Sequence, residues 1–378
     1  MSLFLLVFFL LYGGMHFHAY RKLSGAFSLS LPAALFLLLC MGVMICAPVL
    51  VRLAEKEGLE SIAIPLAYAG YLWMGFLFLF FTTSVMFDSV RLLLRLSGLL
   101  SHGCQFTDRQ TFLASLFVSL LVVVYGCHEA GDIRTEKVTI RTEKLPPSLP
   151  RLTIAQISDV HLGLIVREKR LKAIVRAIEN ARPHVLVSTG DLVDGQMDGM
   201  ENLAAELRKL KPEYGKFAVT GNHEWYAGIG PALDFTRRAG FFVLSGQSYQ
   251  VGGVLNIAGF DDPAAVRTGI TGGNESDILG KVPRGEFTLL LKHRPVVDKR
   301  SVGLFDLQLS GHVHKGQIFP FGLLTRLVYP VATGLSNWGI SSLYVSRGTG
   351  TWGPPIRFLA PPEVTVIELV KGKNGTQE

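Results

Sequence analysis

Cysteine is scarce in this chain and confined to its start: Cys40, Cys46, Cys104 and Cys127 are the only four among 378 residues. Beyond Cys127, a disulfide framework and a thiolate zinc site are both excluded. Cys104 and Cys127 flank an apolar stretch long enough to cross a bilayer, so they are expected on opposite sides of it with no bridge between them. No run of Lys and Arg with interleaved aromatics occurs, and the formal charge of +7 is dispersed, so nucleic acid is not an expected partner. Anionic head groups or a phosphorylated substrate fit that charge equally well. Internal repeats and low-complexity tracts are missing too. The first apolar stretch has no positive n-region and no small-x-small cleavage site before Tyr20-Arg21-Lys22, which favours an uncleaved anchor over a secretory signal.

What the chain has in excess is apolar side chains. They make up 49% of it, with a mean hydropathy of +0.35, too high for an ordinary soluble enzyme. The surplus sits in the first third, where residues 2–20, 33–51, 62–87 and 111–127 are each predominantly apolar. At about 1.5 Å per helical residue, each reaches across or nearly across a hydrocarbon layer about 30 Å thick. Four transmembrane helices within residues 1–130 are expected, ahead of a globular domain over residues 131–378. Lys and Arg are near parity on the two sides of this arrangement; the positive charge of the first hairpin favours an extracytoplasmic globular domain. His16, His18, His102 and His128 fall at the expected membrane borders or in loops, where a solvated imidazole needs no further explanation.

After Cys127 the texture changes at once. Residues 136–143 put Val138 and Ile140 on one face of a strand, and Pro146, Pro147 and Pro150 mark a rigid turn. Leu171, Ile174, Val175 and Ile178 follow i, i+3, i+4, i+7, an amphipathic helix over 167–182. A second helix carries Leu203, Leu207 and Leu210. Strand followed by helix implies a layered α/β domain.

The polar chemistry gathers where apolar strands stop. Ile154-Ala155-Gln156-Ile157 leads to Ser158-Asp159-Val160-His161, and an extended chain through Val160 would send Asp159 and His161 off one side toward a single cation. Val185-Leu186-Val187-Ser188 leads to Gly190-Asp191, and Phe217-Ala218-Val219-Thr220 to Gly221-Asn222-His223-Glu224. Phe287–Leu291 leads to Lys292-His293-Arg294, and Phe305–Ser310 to Gly311-His312-Val313-His314. Singly, each has a local explanation: Asp191 as a turn residue, Asn222 as a left-handed one, His312 and His314 as an exposed alternating pair. Together, five strands delivering Asp, His or Asn at the same end match the place where open α/β folds put their sites. His184, before a strand, reads as structural.

Asp159-x-His161, Gly190-Asp191, Gly221-Asn222-His223-Glu224, His293 and Gly311-His312-x-His314 resemble, in order and spacing, the calcineurin-like metallophosphoesterase superfamily. Gly259-Phe260-Asp261-Asp262, Gly316-Gln317 and Pro361-Pro362-Glu363-Val364 resemble its bacterial membrane-anchored branch. The resemblance covers roughly residues 131–378. It implies two facing mixed β-sheets flanked by helices, and two divalent metal ions at one end. It also implies that Asp159, His161 and His314 hold the first metal, that Asn222, His293 and His312 hold the second, and that Asp191 bridges them. His223 is implied as the acid at the leaving oxygen, with Glu224 a candidate to orient it. An N and O donor set without sulfur suits manganese, iron or zinc. Two cations about 3.5 to 4 Å apart would clamp both ends of an in-line displacement at phosphorus and acidify a bound water.

The expected activity is hydrolysis of a phosphoester or pyrophosphate by a multi-pass protein of the bacterial inner membrane, with a lipid or lipid-linked substrate as one candidate. A membrane receptor or assembly subunit that uses the metal fold for binding only is the alternative. The segment Ile318–Pro330 is strongly apolar, but its two prolines and Gly322 predict neither a good helix nor a central strand. It is expected as a buried return loop or, in the lipid case, as an apolar lip beside the metals.

Overall fold

A computed structural model describes residues 3–97, 106–195, 199–269 and 273–372. The chain divides into two compact units. One comprises Met1–His128 with Gly353–Ile356; the other comprises Glu129–Trp352 and Arg357–Glu378.

The first unit holds four helices: α1 (Leu3–Ala26), α2 (Leu31–Lys56), α3 (Glu60–Leu96) and α4 (Asp108–Gly131). Among the described residues, α2, α3 and α4 are long and apolar enough to cross a membrane. Three of the four expected spans therefore meet the requirement, and α1 covers the first apolar stretch as a helix. Cys127 lies within α4, not beyond it, while Cys104 and His102 lie outside the described residues. Two histidines are not where a border position would leave them. His16 is buried: its Nδ1 lies 2.8 Å from the Tyr12 carbonyl and its Nε2 accepts from Trp73 Nε1 at 2.9 Å. His18 Nε2 is 2.6 Å from Ser84 Oγ. Both are satisfied polar contacts between α1 and α3, where unpaired polar groups would be costly.

In the second unit, two six-stranded sheets carry the fold. The first has the order β1-β12-β2-β3-β4-β5, from Arg134–Thr142 (β1), Arg151–Ile157 (β2), Val185–Ser188 (β3), Lys216–Ala218 (β4), Phe242–Val243 (β5) and Glu363–Lys371 (β12). The second has the order β10-β11-β9-β8-β7-β6, from Gln247–Val251 (β6), Leu255–Gly259 (β7), Phe287–Leu291 (β8), Leu307–Ser310 (β9), Gly334–Trp338 (β10) and Ser341–Val345 (β11). Both are mixed: β2, β3 and β4 run parallel while β12 is antiparallel to β2, and β7, β8 and β9 run parallel while β6 is antiparallel to β7.

Two-residue periodicity sorts the strand side chains between two cores. Ile154, Val185 and Val187 join Leu255, Ile257, Leu289, Leu291, Leu307 and Leu309 in the layer between the sheets. Their neighbours Ala155, Ile157 and Leu186 face the other way, against Leu171, Ile174 and Ile178 of α5 (Glu168–Ala181), Leu203 and Leu207 of α6 (Glu201–Arg208), and Phe235. Burial on both faces explains why these strands read as continuous apolar runs. The helix expected at 167–182 is α5, with its four named apolar residues buried. His184 is structural: its Nδ1 accepts from the Thr153 amide at 3.0 Å.

Candidate metal centre

The carboxyl ends of β2, β3 and β4 in one sheet and of β8 and β9 in the other converge, because each set is parallel. The convergence brings Asp159, His161, Asp191, His223, His293, His312 and His314 together. Three groups of side chains have donor atoms within 4.8 Å of one another: Asp159, His161 and His314; Asp191, His293 and His312; and His161, Asp194 and His223. Asp191 Oδ2, in the second group, also reaches the first, lying 3.1 Å from His293 Nε2 and 3.8 Å from His161 Nε2.

Backbone conformation at these strand ends corrects one expectation. The extended chain does not persist through Val160, since β2 stops at Ile157 and both Asp159 and His161 have φ of 53°. Asp191, His312 and His314 are left-handed as well. Non-glycine residues take this conformation at a cost, and clusters of them occur where the surroundings enforce it at functional sites. Here the turn, not the strand pleat, aims the side chains. Close approach enforces it: a Cβ on Gly221 would collide with Asp191, and one on Gly311 with Ser158 and Asp159.

A shell of hydrogen bonds fixes the rings and carboxylates. His293 Nδ1 faces the Thr189 carbonyl at 2.9 Å, which sets that nitrogen as the donor and turns Nε2 toward Asp191. Asp159 accepts from the His312 amide at 2.9 and 3.0 Å and from Ser158 Oγ at 2.5 Å. Arg357 is fully buried behind His314. It donates to the carbonyls of His314, Arg347, Gly350 and Ala360, with Nη2 2.9 Å from His314 Nδ1.

Electrostatics mark the same atoms. Burial would raise the Asp191 carboxyl, but His293, His223 and His161 around it hold it well below the usual range. His293 is also buried, yet Asp191 and Asp159 push it up to about 10. Burial pulls His161 down to about 4 and His312 down to about 3, and the neighbouring charged histidines add to this. Some imidazoles are thus held neutral and others proton-loaded around carboxylates that rarely survive burial uncompensated.

Divalent cations fit this donor set. Asn222 Oδ1 and His161 Nδ1 are buried without a hydrogen-bond partner, as buried polar atoms seldom are. His161 Nε2 lies 3.2 Å from His314 Nε2, and His312 Nδ1 lies 3.1 Å from His293 Nε2. Imidazole nitrogens facing one another beside carboxylates are what a cation shared among them would reconcile.

Residues 152–316 match the family model described as calcineurin-like phosphoesterase. A metallophosphoesterase of Aquifex aeolicus is 41% identical over 261 residues, 68% of this chain and 99% of the relative. The chain belongs to the calcineurin-like metallophosphoesterases. A Danio rerio transmembrane protein with a metallophosphoesterase domain is 33% identical over 276 residues, 69% of this chain and 63% of the relative. Against the crystal structure of a dimetal phosphatase from Danio rerio, the identity is 14% and the TM-score 0.36, covering 52% of this chain and 87% of that one. The protein is a metal-dependent phosphoesterase enzyme with apolar helices ahead of its catalytic region.

Two side chains of the phosphoesterase do work that the sequence assigned elsewhere or left out. Glu224 does not orient His223. Its carboxylate accepts from the amides of Asp191 (3.0 Å), Leu192 (2.6 Å) and Gly221 (2.7 Å), tying the end of β3 to the end of β4. Asp194 is the residue that reaches His223, with Oδ1 2.9 Å from Nδ1. Its signal was a carboxylate three residues after Asp191, just past the strand end. Asp262, within a stretch that marked the membrane-anchored branch, takes a two-point bond from Arg294 at 2.7 and 2.9 Å.

Proposed function

We propose that this phosphoesterase hydrolyses a phosphoester or pyrophosphate at a two-metal centre, as a multi-pass membrane protein of the bacterial inner membrane whose catalytic domain, residues 131–378, faces the extracytoplasmic side. Asp159, His161 and His314 would hold one divalent cation, Asn222, His293 and His312 the other, and Asp191 would serve both. The observation that carries this reading is the position of Asp191 Oδ2, within 3.8 Å of a nitrogen from each set. When bound, such cations neutralise charge on the phosphoryl oxygens and lower the pKa of water toward neutrality.

The chain's own groups account for the remaining steps. Asp191 Oδ1 accepts from the His223 amide at 2.8 Å, which locks the histidine to the bridging carboxylate. Burial disfavours the charged form of His223, but in the metal-free protein Asp191 and Asp194 outweigh it and push the ring up to about 9, which favours the protonated ring. Asp194 engages Nδ1, which leaves Nε2 to give its proton to the departing oxygen. The side chains of Tyr226 and Trp352 pack edge-on around this ring at 5.6 Å and limit its motion.

Lipid or lipid-linked phosphates are the favoured substrate class, because the same chain has helices able to cross a membrane. The full-length protein, supplied with manganese, should hydrolyse a chromogenic phosphodiester and lose that activity in a chelator. If the metal-loaded protein turns over neither a diester, a monoester nor a pyrophosphate, a binding-only role replaces this one.

A further inference from the structure

Beyond the buried Ile318, the segment after His314 is not a buried return loop: Phe321–Val328 is a helix, α7, and none of its residues is buried. Both prolines are compatible with it: Pro320 precedes the first turn and Pro330 follows the last. Gly322 explains how the helix is held. A Cβ there would come within 2.7 Å of the Lys315 carbonyl, so α7 rests on the 315–316 backbone through its glycine and its side chains remain outside.

Those side chains are apolar. Among the described residues of the catalytic unit, six of the fifteen exposed large apolar side chains are Phe319, Phe321, Leu323, Leu324, Leu327 and Val328. Leu327 is 81% exposed and Val328 71%. A patch this concentrated is uncommon on a surface that meets only water. Its place in the fold is specific. Tyr329, the next residue, packs edge-on against the His312 ring at 5.3 Å. At the other end, Gln317 exchanges hydrogen bonds with the Trp352 backbone at 2.8 and 3.0 Å, and the half-exposed Trp352 ring packs against His223. The apolar helix thus borders the metal centre beside two of its working histidines.

We propose that α7 is a bilayer-docking helix that sets the mouth of the metal centre against the membrane surface, so that the phosphate hydrolysed is one presented on a lipid head group. The bilayer is the occupant because the chain carries its own candidate membrane spans, which hold the catalytic unit at high effective concentration beside a lipid surface. Arg326, on the same short helix, supplies a cation for anionic head groups. The lipid-substrate part rests on the phosphohydrolase function proposed above; the docking part does not.

The test uses full-length protein in phosphatidylcholine and phosphatidylglycerol vesicles. Leu327→Trp, read against the four native tryptophans, should be quenched by brominated phospholipid and protected from aqueous acrylamide. In parallel, Leu323→Glu/Leu324→Glu/Leu327→Glu is assayed on two manganese-supported substrates with one leaving group, bis(p-nitrophenyl) phosphate and a vesicle-borne phospholipid p-nitrophenyl ester. Hydrolysis of the lipid ester should fall about tenfold or more relative to the soluble one, because the metal centre is no longer held facing the head groups. Quenching by acrylamide and not by brominated lipid overturns the docking. Lipid quenching with an unchanged ratio of the two activities overturns the lipid-head-group substrate and keeps the docking. Lipid quenching with no hydrolysis of either ester by the parent protein sinks the phosphohydrolase function and leaves the docking supported. Should the triple glutamate variant melt early, the corresponding triple glutamine variant gives the same comparison.

Discussion

Ile154 and Ala155 lie inside β2, fully buried between apolar layers, whereas Asp159 and His161, a few residues further on, are equally buried but polar and left-handed. The same contrast recurs between Val187 and Asp191 and between Leu309 and His314. Strand bodies satisfy their backbone in the ladder and bury hydrocarbon on both faces, and both features lower the free energy of the folded state. Strand ends do the reverse. They hold charged groups out of water in strained turns, a cost that makes sense where a ligand offsets it. Stability and catalysis are therefore placed in adjacent segments of one strand, and substitutions in the two should have separable effects.

The largest effect on turnover is expected at the proposed bridging position. Asp191→Ala should abolish hydrolysis more completely than loss of any single outer ligand and should release more than one ion per chain by elemental analysis. His223→Ala comes next: metal content should stay at the parent level while kcat falls about 10²- to 10⁴-fold, and the deficit should shrink for substrates with good leaving groups. If that variant loses metal instead, His223 is a ligand. Behind the site, Arg357→Met should weaken metal affinity about 10- to 100-fold, the scale seen when a group supporting a ligand is removed, measured by competition with a chelator. The smallest effect on turnover per folded molecule belongs to a strand body. Leu289→Ala should cost about 2–5 kcal/mol of stability in denaturant unfolding and leave kcat of the folded fraction near the parent's. A large fall in kcat without a fall in stability would erase the distinction between bodies and ends.

Much of this distinction was legible in the sequence because it is written in local patterns. The apolar runs 154–157, 185–188 and 287–291 and the heptad-like spacing of Leu171, Ile174, Val175 and Ile178 need no partner to be recognised. The polar residues that end the strands were legible for the same reason, as was their order. Long-range and conformational features were not. Nothing near Arg357 says that its guanidinium will close on His314, 43 residues away, and nothing in Asp159-Val160-His161 announces a left-handed turn. Asp194 does not stand out, because a carboxylate in a polar loop is ordinarily solvated. In the segment 318–330, proline and glycine read as helix breakers, but each stands where a short helix tolerates or requires it. His16 reads as a membrane-border residue because apolar periodicity does not reveal that Trp73, on another helix, meets it.

On the proposed reading, the two sets of strand ends hold two ions joined through Asp191. Titration of metal-free full-length protein with Mn(II), followed by electron paramagnetic resonance, tests it most directly. Binding that saturates at two ions per chain, with the exchange-coupled spectrum of a carboxylate-bridged pair that reverts to isolated ions in Asp191→Asn, is the predicted result. Saturation at one ion per chain, or two ions with uncoupled six-line spectra in the parent protein, would contradict it.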